Sequence, residues 1–209
     1  MFFEPSKGHG LSHNPIAACV APRPIGWIST CNKDGINNLA PFSYFNLVHN
    51  FPPTVMFACN GLKADGTEKD SWRNAEETGE FVYNAATDNV REKMNLTSTS
   101  WHSEVDEISE VGLTSTRSRL VKPVRIVESP IQFECKTIKV IHLPSSSNKN
   151  PSNIVFGEVV GVHIEDSCMS GGKVDYDKVQ QISRLGYMDF AKIGEVFIMP
   201  RPYPKREQG

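Results

Sequence analysis

Fourteen prolines and fifteen glycines cut this 209-residue chain into short apolar runs, and that punctuation limits its fold more than any other feature. Proline supplies no ladder donor and breaks helices, while glycine allows the backbone of tight turns. Long helices therefore have little room, and short strands joined by turns fit well. Residues 25–30 form one run and residues 36–40 another, with Asn32-Lys33-Asp34-Gly35 between them. An Asp-Gly pair provides the positive φ that a hairpin turn requires. Residues 54–59, after Pro52-Pro53, read as a third strand, and residues 81–84 as a fourth. The runs 131–143 and 154–164 are long and rich in β-branched residues, which favour pleated backbone.

Helical signals are fewer. Asp70 is placed to cap a helix through Trp72, Asn74 and Ala75 that ends at Gly79. Asp88 could cap a second through Val90, Lys93 and Met94. Ser103 opens a short acidic third that stops near Gly112, and Asp175 could cap a fourth. The polar stretch 144–151 reads as a loop between the two long strands. About six strands with peripheral helices predict a single domain over residues 1–209, mainly β and closed as an antiparallel barrel so that few edges stay exposed.

A net charge of −2 gives no electrostatic case for nucleic acid or an anionic membrane as partner. Cys19, Cys31, Cys59, Cys135 and Cys168 are odd in number, widely spaced and without a C-x-x-C pair. That pattern points away from a disulfide framework or a zinc site and towards a reducing cytoplasm. The opening residues lack a basic start followed by an apolar run, so no signal peptide is expected. No G-x-G-x-x-G dinucleotide fingerprint or G-x-S-x-G elbow occurs. Gly61-Leu62-Lys63-Ala64-Asp65-Gly66 imitates a phosphate loop, but Thr67 and Glu68 follow where lysine and a hydroxyl residue belong, which argues against that role. The six histidines show no ligand spacing, so no metal is expected.

Four stretches carry chemical information: residues 21–30 (APRPIGWIST), residues 38–46 (NLAPFSYFN), residues 68–74 (EKDSWRN), and residues 183–187 (SRLGY). Lys69 and Ser71 stand at the start of a predicted helix, where free amides gather, and add a charge and a hydroxyl; a phosphate wants all three. Asp70 would repel a phosphate and is read as a cap. Ser43-Tyr44-Phe45-Asn46 offers hydroxyl, aromatic and amide groups to a planar ring with a polar edge. Together these are the needs of flavin mononucleotide, FMN. Taken singly, Trp27, Phe42 and Phe45 are equally good core residues, and Lys69 an ordinary solvated lysine.

The order R-P-I-G-W-I-S-T, D-G, N-L-A-P-F-S-Y-F-N and K-D-S-x-x-N resembles the flavin reductase-like family of FMN-binding split barrels, which includes flavoredoxins. The resemblance runs from about residue 15 to 84, with an echo at Arg184-Leu185-Gly186-Tyr187. Ser71 stands where the family usually has threonine, and residues 61–67 make a longer approach to Lys69. The resemblance implies a six-stranded Greek-key split barrel and a homodimer with FMN near its interface. It also implies hydride transfer from NADH or NADPH through FMN to an acceptor, or, alternatively, an electron carrier or a flavin-binding protein without turnover. It assigns cofactor contacts to Arg23, Trp27, Thr30, Ser43, Tyr44, Phe45, Asn46, Lys69, Ser71, Asn74 and Arg184. No protein nucleophile or acid–base pair is expected, since the flavin carries the chemistry.

Overall fold

The computed structural model describes residues 1–145 and 150–202. Its centre is a seven-stranded antiparallel sheet: β1 (Gly26–Cys31), β2 (Asn37–Phe42), β3 (Phe45–Asn50), β4 (Pro53–Asn60), β5 (Glu80–Ala85), β6 (Ile131–Leu143) and β7 (Ser152–Ile164). The order across the sheet is β2-β1-β5-β6-β7-β4-β3. Six of these strands follow the apolar runs of the sequence. The additional one, β3, occupies a stretch read for its ring-binding groups, and it pairs with β4 as far as Asn50 opposite Pro53. The polar loop 144–151 does join β6 to β7, although residues 146–149 lie outside the described residues.

Among the described residues, five short α-helices lie around the sheet: α1 (Ile16–Cys19), α2 (Asp70–Thr78), α3 (Arg91–Leu96), α4 (Glu107–Glu110) and α5 (Tyr176–Val179). Gly79 ends α2 in left-handed backbone at φ 74°, as the sequence predicts. The cap at the other end differs: Lys69 is the residue before the helix, and Asp70 lies in its first turn with its carboxylate drawn into ion pairs. Asp106, not Ser103, caps α4 by accepting from the Ile108 amide, and Asp175 caps α5.

Two cores explain why β1 is buried along its whole length. Side chains alternate across a strand. Ile28 joins an interior cluster with Phe42, Phe45, Val55, Phe57, Phe81 and Tyr83, to which α2 adds Trp72 and Ala75. Trp27, one residue earlier, faces a second cluster of Ile25, Leu39, Val90, Met94, Ile108 and Ile126. This second core fastens α3 and α4 against the back of β1 and β2. A small separate sheet pairs Arg23–Pro24 with Ile182–Arg184, which in turn pairs with Phe190–Lys192. It brings the late R-L-G-Y motif beside the early R-P-I-G-W motif.

Candidate functional site

A groove runs from the N-terminal end of α2 to this small sheet. It consists of two hollows of about 190 and 310 Å³ that share Pro41 and Ser98. Lys63, Lys69, Asp70, Ser71, Glu107 and residues 97–101 line the first. The first-turn amides of a helix lack partners within it, so this end favours an anion. Asp70 does not cancel that preference. Its Oδ2 lies 2.9 Å from Lys63 Nζ, and its Oδ1 is held by Arg73. Lys63 also donates to Ser103 Oγ at 2.8 Å. Lys69, with no hydrogen bond or ion pair among the described residues, remains as an uncompensated cation on the pocket wall.

Ser71 is fixed from behind. Asn38 Nδ2 donates to Ser71 Oγ at 2.8 Å and to Thr30 Oγ1 at 3.2 Å, and Asn74 Nδ2 donates to the same Thr30 oxygen at 3.2 Å. All four residues are buried. Ser71 accepts in this network, which leaves its own proton to be donated into the pocket. The opposite wall follows α3. Thr97 Oγ1 accepts from Trp27 Nε1 at 2.9 Å and donates to Met94 O at 2.7 Å, so the second core anchors the loop. The hydroxyls of Thr99 and Ser100 have no partner among the described residues. Trp101 Nε1 is buried and also without one.

Glu107 is the unusual member of this wall. It is 6% exposed, and its Oε2 accepts from the Leu39 amide at 3.1 Å. Burial pushes its pKa up to about 7, against the pull of backbone amides and with added repulsion from Asp70 and Asp106.

Arg23, Ser43, Tyr44, Arg184, Tyr187 and Phe190 line the second hollow. The Arg23 guanidinium is held by the carbonyls of Ala17, Val20 (2.6 Å) and Leu185 (2.7 Å), tying α1 to the R-L-G-Y turn. Its carbon lies 5.7 Å from the Tyr44 ring centre, and its buried Nε has no partner among the described residues. The contact is close enough that a Cβ on Gly186 would stand 2.3 Å from that of Ala18. Arg184 lies over the Phe190 ring at 4.5 Å and donates to Tyr187 O.

Thus Arg23, Ser43, Tyr44, Lys69, Ser71 and Arg184 line the two hollows of this groove. Thr30, Asn74 and Trp27 do not line it; they orient the residues that do. Phe45 turns into the interior, where it stacks on Tyr83 at 4.6 Å and 12°, and Asn46 is exposed on β3 away from both hollows. Sequence reasoning missed Lys63, Glu107 and the hydroxyl run Thr97-Ser98-Thr99-Ser100. Lys63 belongs to the segment set aside as a failed phosphate loop, yet it lines the pocket at the helix end. The four consecutive hydroxyl residues after a short helix were the available signal for the loop.

An antiparallel barrel whose groove opens at a helix N-terminus defines a split-barrel class of protein. The model of the flavin reductase like domain matches residues 19–181, and the chain belongs to that family. An uncharacterized protein of Aquifex aeolicus is 39% identical over 178 residues, covering 85% of this chain and 87% of that protein. The solved structure of nitrilotriacetate monooxygenase component B from Bacillus cereus is similar with a TM-score of 0.81 and 28% identity, over 92% of this chain and 100% of that one. The 2-nitrobenzoate 2-nitroreductase NbaA of Pseudomonas fluorescens gives 0.77 and 28%, over 93% and 92%. Among the described residues, no helix is long and apolar enough to cross a membrane.

Proposed function

We propose that the groove holds FMN, and that the protein passes electrons from NADH or NADPH through it to an acceptor. The observation that carries this reading is the set of unsatisfied donors along one continuous groove. Lys69, the Ser71 proton and the Thr99 and Ser100 hydroxyls gather at one end, beside the start of α2, where a phosphate would sit. Arg23 and Tyr44 stand at the other, where a ring would lie. Two buried polar atoms without partners among the described residues, Trp101 Nε1 and Arg23 Nε, belong to residues of these two walls. A single-phosphate flavin fits that division of charge and aromatic surface.

When bound, the flavin supplies the redox chemistry, and the chain's residues hold, orient and shield it. Lys69 and Ser71 anchor the phosphate end, while Trp27 steadies the 97–101 wall. Arg23 keeps Tyr44 and the R-L-G-Y turn at a fixed separation. The names of the two solved relatives, a monooxygenase component and a nitroreductase, support an oxidoreductase. A cytoplasmic homodimer completes the proposal. Leu47 and Val48 on β3 and the adjacent Phe51, which is 88% exposed, give an apolar edge next to Tyr44 that a second copy would cover.

The test begins with the visible spectrum of purified protein, followed by heat release of the pigment. FMN is the expected product, and steady oxidation of NADH or NADPH the expected activity. An apoprotein that fails to bind titrated FMN refutes the reading; FMN binding without nicotinamide oxidation leaves an electron carrier in its place. Light scattering should report a mass of twice 23.3 kDa.

A further inference from the structure

We propose that Glu107 is itself a phosphate contact, made through a carboxyl proton that the site takes up from solvent when the anion enters. This rests on the flavin reading above.

The puzzle is the presence of an acid in a pocket built for an anion. Asp70 is neutralised by Lys63 and Arg73, but among the described residues Glu107 has no cationic partner. Charged groups on the elements around it include Asp106 at the cap of its own helix and Glu110 within it, Asp70 and Arg73 from α2, Lys63, Glu68 and Lys69 from the segment before α2, and Lys93 from α3, which donates to the Gly112 carbonyl just past α4. His102 and Glu104 stand on the loop before α4, and β2 brings none. The charges that bear on Glu107 most, Asp70 and Asp106, are both negative. An ionised Glu107 beside a phosphate dianion would bring three negative charges into one pocket, where Lys69 offsets only part of them. A protonated carboxyl removes that repulsion and becomes a donor. Burial already holds the group near the point of half-protonation at neutral pH, so the proton is gained at small cost. The proton comes from water, and no bond other than the O–H is made.

The experiment is FMN titration, by flavin fluorescence, of wild-type apoprotein and Glu107→Gln at pH 7.0 and 8.5. A phosphate monoester with a second pKa of about 6 is largely dianionic over this range, so its own titration contributes little. If only the protonated form binds, wild-type affinity should weaken about fifteenfold between these pH values, and Glu107→Gln should change by less than about twofold. Riboflavin, which lacks the phosphate, should show no such contrast. Calorimetry of the wild type at pH 8 in two buffers of different ionisation enthalpy should register uptake of about one proton, a readout that does not depend on the variant folding. Wild-type affinity that stays flat without proton uptake overturns the proposal, as does a Glu107→Gln variant that weakens with pH as the wild type does. Absence of FMN binding to the wild type even at pH 6 would instead remove the flavin reading on which the proposal stands.

Discussion

Replacing Lys69 with alanine separates a phosphate contact from an ordinary surface lysine. Of the two acids that flank it, Glu68 and Asp70, the latter is already engaged by Lys63 and Arg73, and Lys69 itself makes no hydrogen bond or ion pair among the described residues. Its removal therefore breaks nothing in the folded chain, and the urea midpoint should stay within the small range of surface substitutions, about 0.5 kcal/mol. The ligand would lose more. A charge-assisted hydrogen bond contributes about 1.5–3 kcal/mol, so FMN affinity should fall about ten- to a hundredfold. Riboflavin affinity should barely move, because the lost charge faces only the phosphate. The assay is parallel fluorescence titration of both flavins into wild-type and Lys69→Ala apoprotein. Equal losses for the two ligands, or no loss for either, would refute the assignment of the helix end to a phosphate.

The second core should be felt in the groove. Trp27→Phe deletes the donor to Thr97 and leaves space behind it, which should cost about 2 kcal/mol in urea unfolding and weaken FMN several-fold; unchanged affinity would show that the 97–101 wall is not positioned this way. Glu107 should also set a pH dependence of stability. Its folded pKa of about 7 lies above the ordinary 4.5, so its contribution is complete below about 4.5 and is lost as pH rises through about 7. At about 1.4 kcal/mol per pKa unit the loss is about 3 kcal/mol, and Glu107→Gln should flatten the fall in urea midpoint between pH 5 and 8.5.

Much of the barrel was legible because burial imposes a pattern. The runs 131–143 and 154–164 mark β6 and β7 closely, and Gly79 marks the end of α2 through a backbone angle that glycine favours. β3 escaped notice because five of its six residues are exposed, leaving no alternation of apolar and polar faces to read. The groove was legible where a residue's own chemistry drew it out, as at Lys69, Ser71 and Arg23, which line it. It was not legible where the useful property arises from packing. Nothing local to Trp27, Thr30 or Asn74 says that they support the groove instead of lining it. Lys63 looked misplaced because its approach to the helix end depends on the folding back of the 61–69 segment. The altered acidity of Glu107 comes first from its burial in the fold, and no spacing in the chain announces it.

The sheet order has a further consequence, for the sequence in which the molecule is assembled. During synthesis the hairpin β1–β2 and the pair β3–β4 can close as soon as they leave the ribosome, since their partners are adjacent. The outer edge of β4 cannot, because Thr54 waits for Glu158 and Asn60 for Ser152. Contacts of such separation are entropically late in folding. Arg23 waits longer still, for its register partner Arg184 and for the Leu185 carbonyl. The chain up to Glu107 thus carries the whole first hollow, while the Arg184, Tyr187 and Phe190 side of the second hollow arrives with the last quarter. A nascent chain stalled before β7 would expose β4 as an unpaired, apolar edge, the kind of surface that chaperones hold and aggregates recruit.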